Sequence, residues 1–150
     1  MRKSVILLFI FTLCCTCFAT EYNFGQYNVR IITNDDTGAK AWENRKAYVT
    51  DLIKKYGFDV FSMNEVKATT QYGDIKSLLP NYSFYAHSVS STTVVERETM
   101  NVVAWKTDKF DLLDKGRWFI SADPLNTARL ISDSRQSRNT VWVKLQDKVT

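Results

Sequence analysis

Two side chains of this sequence could do chemistry together, a carboxylate at Glu65 and a carboxamide at Asn28. Glu65 comes near the end of the apolar run "DVFSMNEV" at 59–66, which predicts a short buried strand. A carboxylate is an anionic oxygen donor, able to bind a cation or to accept hydrogen bonds. Taken alone, however, a Glu at a strand end is more simply a surface residue.

Asn28 lies in "EYNFGQYNVRIIT" at 21–33, whose alternation predicts a first strand. A carboxamide can donate and accept hydrogen bonds without adding a charge. The plainer interpretation is an Asn at a strand end that bonds the nearby backbone. Arg30 is interpreted as a solvated strand residue.

The segment between these strands, "KAWENRKAYVTDLIKKYG" at 40–57, carries apolar residues at steps of three and four. This spacing predicts a helix, and Gly57 predicts its end. A strand, helix and strand of this length form a βαβ-like unit, which places both strands in one sheet. The basic residues of the helix indicate a solvated face; they are Lys40, Arg45, Lys46, Lys54 and Lys55.

The rest of the chain continues the mixed pattern. We predict a short helix at 73–80, strands at 82–88, 100–106 and 140–150, and a strand-pair element at 110–121. The polar segments 88–99 and 123–139 predict a loop and a long surface excursion. The single histidine, His87, and the four tryptophans fall in periodic elements and are interpreted as packing residues; the tryptophans are Trp42, Trp105, Trp118 and Trp142.

Five motifs together carry a resemblance to a known family. In chain order they are "QYNVR", a helix with "ENRK", "DVFSMNEV", "NVVAWKTDKFDLLDKGRWFIS" and "SRNTVWVKLQDK". Over 24–149 this set resembles the endonuclease/exonuclease/phosphatase superfamily, and its secreted bacterial members above all. The resemblance implies an α/β (α+β) fold, a four-layered α/β/β/α sandwich in which two packed β-sheets are covered by helices. It also implies cleavage of phosphoester bonds with Mg²⁺ or Mn²⁺, at an active site on loops along one edge.

The resemblance assigns roles to four residues. Glu65 matches the metal-binding carboxylate of the family, and Asn28 matches a catalytic Asn on the first strand. The family often has an acidic residue shortly before "NVVAW", which makes Glu98 a catalytic candidate. Counting back from Trp105 places that position at Thr99, so either a bulge restores Glu98 or this sequence departs from the pattern. Arg138, before "NTVW", is a substrate-binding candidate for phosphate, and a structural ion pair is an equally good interpretation.

The resemblance also implies further catalytic residues that would follow Thr150, namely a His–Asp pair, an Asp–Asn pair and a final Asp–His. We therefore expect the chain to be the N-terminal half of such a domain, with negligible turnover by itself and poor solubility from an exposed sheet edge or core face. Two alternatives remain open. One is a non-catalytic secreted binding domain on the same fold. The other is an unrelated secreted α/β interaction domain.

The first 20 residues indicate export. "MRKSVILLFIFTLCCTCFAT" has a basic start, a short apolar run and small residues, the pattern of a signal peptide. This predicts a secreted or periplasmic protein with a signal peptide at 1–20, the N-terminal part of one domain at 21–150 and no stable membrane span. All 3 cysteines lie in this leader, so the mature chain would form no disulfide.

Charge and motifs limit what can be said about partners. Removing Arg2 and Lys3 from the 20 basic residues leaves 18 against 16 acidic residues, which is no nucleic-acid signature. The expected partner is a phosphoester substrate. Nucleic acid, a phospholipid headgroup and a sugar or inositol phosphate stay undecided, and the sequence implies no protein partner.

Overall fold

The computed structural model describes residues 20–88, 99–125 and 138–149. A four-stranded sheet has the strand order β1-β2-β4-β3, and a two-stranded sheet is formed by β5 and β6. A 3-10 turn at Gly38–Lys40 precedes the first helix. The helices and strands, in chain order, are β1 Phe24–Asn28, α1 Trp42–Tyr56, β2 Val60–Lys67, α2 Gln71–Leu78, β3 Tyr82–Ser88, β4 Thr99–Lys106, β5 Phe110–Phe119 and β6 Asn139–Asp147.

The first three elements form the predicted βαβ unit. β1 and β2 are parallel neighbours, with Gln26 opposite Ser62, and α1 makes the crossover between them. The helix ends as predicted at Gly57, which has φ 59° and donates its N–H to the carbonyls of Ile53 and Lys54. Glycine reaches this left-handed conformation without the steric cost that a Cβ would add.

The hydrophobic core lies between the helices and one face of the four-stranded sheet. Alternate residues of β2, Phe61 and Met63, point to this face and are buried, as the period of a strand requires. They join Val102 of β4 and the apolar faces of both helices, which contribute Ile53 and Ile75 to the same cluster. Burial of this surface fixes the register of β2, because a slip by one residue would move its apolar side chains to the opposite face.

The two-stranded sheet packs on the opposite face of the four-stranded sheet. A cavity of about 190 Å³ lies between the two sheets, lined by residues of β1, β2, β4 and β6 that include Ser62, Asn101 and Thr140. The described residues therefore form three layers, which are the helices, the four-stranded sheet and the two-stranded sheet. This mixed α+β architecture agrees with the predicted fold class and with a part of the four-layered sandwich.

Some sequence predictions need correction. β1 is shorter than the predicted 21–33. Segment 110–121 is not a strand pair but one ten-residue strand, β5, which pairs with β6 and carries an irregularity between Leu112 and Asp114. Trp118 lies against Trp142, with ring centroids 5.6 Å apart, but it is 50% exposed and is not a core residue, whereas Trp42 and Trp105 are buried. Within the described part of the chain, no helix has the length and apolar character needed to cross a membrane.

Candidate functional site

A β-bulge in β2 explains how an apolar strand delivers a carboxylate. Met63 pairs with Val102 and Val66 pairs with Met100, so the register shifts between Met63 and Val66. Strict alternation after Phe61 and Met63 would place Glu65 in the core. The extra residue places Val66 there instead, fully buried, and Glu65 is turned away and half-buried. Bulges redirect side chains in this way and are frequent beside active sites.

The backbone of Glu65 is in a left-handed conformation, with φ 58°. Among the described residues one other non-glycine residue has positive φ, Arg30 at 57°. Such conformations cost about 1–3 kcal/mol each and persist where the surroundings enforce them, often at functional sites. The two strained residues lie at neighbouring positions, because β1 and β2 are adjacent and Arg30 follows the end of β1.

Asn28 and Glu65 are in direct contact. Asn28 Nδ2 donates to Glu65 Oε1 at 3.0 Å. The opposite side of the amide, Oδ1, accepts the backbone N–H of Arg30 at 2.9 Å. Because only the oxygen of an amide can accept that N–H, the NH₂ group must face the carboxylate. The backbone N–H of Ile31 approaches the second carboxylate oxygen, Oε2, at 3.4 Å. Both oxygens of Glu65 are thus held by uncharged donors.

Arg30 does not behave as a simple solvated strand residue. Its guanidinium forms an ion pair with Asp36 at 2.7 Å, and Asp36 also accepts the N–H of Thr33. The hydrogen bond from Arg30 lowers the pKa of Asp36, with a further contribution from Thr33. The same bond raises the pKa of Arg30, and the charge of Glu65 adds to that effect. A fixed positive charge therefore lies close to Glu65.

A chain of carboxamides lines the cavity next to this site. Gln26 Nε2 donates to Asn64 Oδ1 at 3.3 Å, Asn64 Nδ2 donates to Asn101 Oδ1 at 2.8 Å, and Asn101 Nδ2 donates to the carbonyl of Asn139 at 2.7 Å. Asn139 Nδ2 in turn donates to the carbonyl of Ser88. These carboxamides run from β1 through β2 and β4 to β6 and so link both sheets. Sequence reasoning missed them, although Asn64 immediately precedes the candidate ligand.

The other predicted site residues are Glu98 and Arg138. Glu98 lies outside the described residues, and Thr99 opens β4 opposite Lys67. Arg138 is exposed and precedes β6; its carbonyl accepts the N–H of Ile120 at 2.8 Å. His87 lies on β3, with its Nδ1 2.5 Å from the guanidinium of Arg117, in keeping with a packing and pairing role.

The donor set fits a hard cation with few protein ligands. In the ranges that the structure describes, no group of three or more His, Cys, Asp or Glu side chains comes together. Glu65 is therefore a single carboxylate, held by the Asn28 amide and the Ile31 N–H. Mg²⁺ commonly binds through one or two carboxylates and completes its shell with water and phosphate oxygens, so these residues are compatible with Mg²⁺ or Mn²⁺.

Fold and site together define the class of structure. No protein-family model matches the sequence, and no curated protein matches it. Solved structures do match, and they show the fold of the endonuclease/exonuclease/phosphatase proteins, which confirms the resemblance at the level of the fold.

Three similar structures come from two Bacteroides species. An endonuclease/exonuclease/phosphatase from Bacteroides vulgatus is 23% identical with TM-score 0.80, and the match covers 88% of this chain and 49% of that one. A family protein from Bacteroides thetaiotaomicron is 24% identical with TM-score 0.73, covering 83% and 45%. A mannosyl-6-phosphatase of the same organism is 22% identical with TM-score 0.75, covering 85% and 47%. The chain thus spans about half the length of these relatives.

Proposed function

We propose that the chain carries the cation-binding rim of a metal-dependent phosphoester hydrolase. The observation that carries this proposal is the contact between Asn28 and Glu65, in which a carboxylate is turned out of an apolar strand and held by neutral donors. The fold supports it, since a similar structure is that of a mannosyl-6-phosphatase. The expected cation is Mg²⁺ or Mn²⁺, and the expected substrate is a phosphoester.

The roles of the residues follow from their chemistry. Glu65 would hold the cation, which when bound supplies Lewis acidity at a phosphoryl oxygen. Asn28 and the Ile31 N–H orient the carboxylate, and neither adds a charge that competes for the cation. Arg30, fixed by Asp36, contributes a nearby positive charge that favours a phosphate anion. Glu98 and Arg138 remain candidates for contact with substrate.

Export is part of the proposal. The leader at 1–20 would direct the protein out of the cytoplasm, and the domain at 21–150 would act in the periplasm or outside the cell. The described residues contain no His–Asp pair of the kind that the resemblance implies for water activation. We therefore expect this chain alone to bind the cation and to turn over substrate negligibly.

Cation binding by the 150-residue chain tests the proposal. Wild type is titrated with Mn²⁺ by electron paramagnetic resonance, beside Glu65→Gln and the matched surface variant Glu43→Gln, whose carboxylate is exposed and pairs with Lys46. We expect Glu65→Gln to lose binding and Glu43→Gln to retain it. Inorganic phosphate should strengthen Mn²⁺ binding in wild type, because it supplies further oxygen ligands.

Three outcomes separate the hypotheses. Binding that Glu65→Gln leaves unchanged would place the cation elsewhere and overturn the site. A folded wild type that binds no Mn²⁺ would favour the non-catalytic binding domain on the same fold. Robust hydrolysis of bis-nitrophenyl phosphate by the chain alone would contradict the expectation that further catalytic residues are needed.

A further inference from the structure

Arg45 is a half-buried side chain on the first turn of α1 that bonds the backbone beside the candidate site. Its Nε donates to the carbonyl of Lys40 at 2.8 Å, and its Nη2 donates to the carbonyl of Arg30 at 2.7 Å. Its Nη1 donates to the carbonyl of Val29. The sequence pattern suggested a solvated face for Arg45, and the structure shows instead a guanidinium bonded to three carbonyls.

The orientation of Arg45 is itself fixed by neighbours. Its guanidinium lies over the indole ring of Trp42, 5.1 Å from the centroid. Trp42 is buried and donates its Nε1 to Asp74 of α2 at 2.8 Å. Stacking and hydrogen bonding thus hold the planar fork of the guanidinium in one direction.

Gln71 reaches the same carbonyl from the second helix. It is fully buried, its Nε2 donates to the carbonyl of Arg30 at 3.0 Å, and its Oε1 accepts the N–H of Lys67 at 2.9 Å. Lys67 lies two residues beyond Glu65 on β2. Gln71 therefore connects the turn after β1 to the strand that carries the bulge.

These bonds converge on the residue whose backbone is strained. The left-handed conformation of Arg30 has a cost that the surroundings must offset. With the Arg30 carbonyl held by Arg45 and Gln71, the N–H of Arg30 points to Asn28 Oδ1 and the N–H of Ile31 points to Glu65 Oε2. The hydrogen bonds of Arg45 in the described part of the chain go to the carbonyls of Lys40, Val29 and Arg30, so its effect on Asn28 and Glu65 passes through this turn.

We propose that Arg45, together with Gln71, is a positioning residue of the cation site. Its forked guanidinium keeps the Val29–Ile31 turn in the one conformation that orients Asn28 and Glu65. The proposal rests on the proposed function in so far as the carboxylate binds a cation, while the hold on the turn does not depend on that binding. A lysine has the charge but lacks the planar fork that bonds several carbonyls at once.

The experiment compares four forms of the 150-residue chain, namely wild type, Arg45→Lys, Arg45→Ala and Val49→Ala. Val49 is buried on the same helix, so Val49→Ala lowers stability and leaves the hydrogen bonds of Arg45 in place. The two readouts are Mn²⁺ affinity and amide hydrogen exchange at Arg30 and Ile31. We expect both Arg45 variants to weaken Mn²⁺ binding at least tenfold and to lose protection at those amides. Val49→Ala should keep the affinity of wild type.

The outcomes separate a positioning role of Arg45 from a purely structural one. Wild-type affinity in Arg45→Ala, or an equal loss in Val49→Ala at matched stability, would overturn the proposal and leave Arg45 as a structural residue. If wild type binds no Mn²⁺, the proposed function fails and hydrogen exchange decides this inference alone. Loss of protection at Arg30 and Ile31 in Arg45→Ala, but not in Val49→Ala, then supports the positioning role, and equal protection rejects it.

Discussion

Asn28 and Glu65 are 37 positions apart in the sequence, and their side chains meet at 3.0 Å. In the ladder between β1 and β2, however, Asn28 lies opposite Asn64 rather than Glu65. The contact therefore depends on the bulge, which turns the carboxylate of the following residue back toward β1. A polar pair at the exit of two parallel strands is the chemical feature on which the proposed function depends.

The left-handed backbone of Glu65 predicts an unusual response to glycine. Glu65→Gly should leave the free energy of unfolding nearly unchanged, because relief of strain offsets the lost hydrogen bonds and the added chain entropy. Ser62→Gly, in the same strand at ordinary φ, should lower it by about 1 kcal/mol. Urea denaturation of both variants measures the difference, and equal losses would argue against strain at Glu65.

Asp59 predicts a pH dependence of stability. Burial alone would raise the pKa of this buried carboxyl, but the Asn23 N–H together with Lys109 and Lys106 outweighs burial and lowers the pKa below its ordinary 3.8. Because the folded pKa is the lower one, the stabilisation is fully present above the unfolded value and is lost as pH falls through the folded value.

Asp59→Asn should accordingly lower the free energy of unfolding by about 2 kcal/mol at pH 7, since it leaves the hydrogen-bonded lysines without their charge partner. The difference from wild type should shrink as pH falls below 3.8. Chemical denaturation at several pH values measures it. Asp51→Asn, at an exposed carboxylate that pairs with Lys54 on the helix surface, should change stability by under about 0.5 kcal/mol. If the difference in free energy of unfolding between Asp59→Asn and wild type stayed constant with pH, ionisation of Asp59 would not contribute to stability.

Gly116 is required by the indole of Trp142. A Cβ at Gly116 would lie 2.6 Å from Cζ2 of that ring, and a rigid indole in a paired strand can yield only by shifting the sheet. Gly116→Ala should destabilise by about 1–3 kcal/mol. Gly73→Ala in α2, where a Cβ would meet nothing within 4 Å, should stabilise by about 0.5–1 kcal/mol. Thermal melts of both variants measure these opposite changes in stability. A Gly116→Ala variant as stable as wild type would show that Trp142 can move aside.

The chain of carboxamides predicts that replacing Asn101 lowers the stability of the fold. Asn101→Ala removes the acceptor of Asn64 and the donor to the carbonyl of Asn139, and leaves partly buried polar groups unpaired. The free energy of unfolding should fall by about 1–3 kcal/mol. Asn44→Ala, which removes an exposed bond to the Gly38 carbonyl, should cost under about 0.5 kcal/mol because water replaces that bond. If both variants lost a similar free energy of unfolding, the carboxamide chain would contribute no stability between the sheets.

Much of the site could be predicted because its signals are local. The apolar run before Glu65, the periodic helix and Gly57 each act over a few residues, and they suffice for a parallel β1–β2 pair with polar groups at its end. The catalytic role of Glu98 and the substrate-binding role of Arg138 stay predictions. Arg45 was misjudged because a basic residue on a helix surface looks solvated until the carbonyls that it bonds are known.

The sequence by itself determined the order of most elements and a mixed α/β domain, since periodicity is a property of neighbouring residues, and the resemblance of its motifs to a known family pointed to the candidate pair Asn28 and Glu65. Only the tertiary structure decided that a bulge keeps Glu65 out of the core, that Arg30 turns left-handed, and that Arg45 and Gln71 hold that turn. The reason is physical. Which face a strand residue occupies is set by its register with a partner strand 32 or more positions away, and backbone strain persists only where distant side chains supply the bonds that offset it.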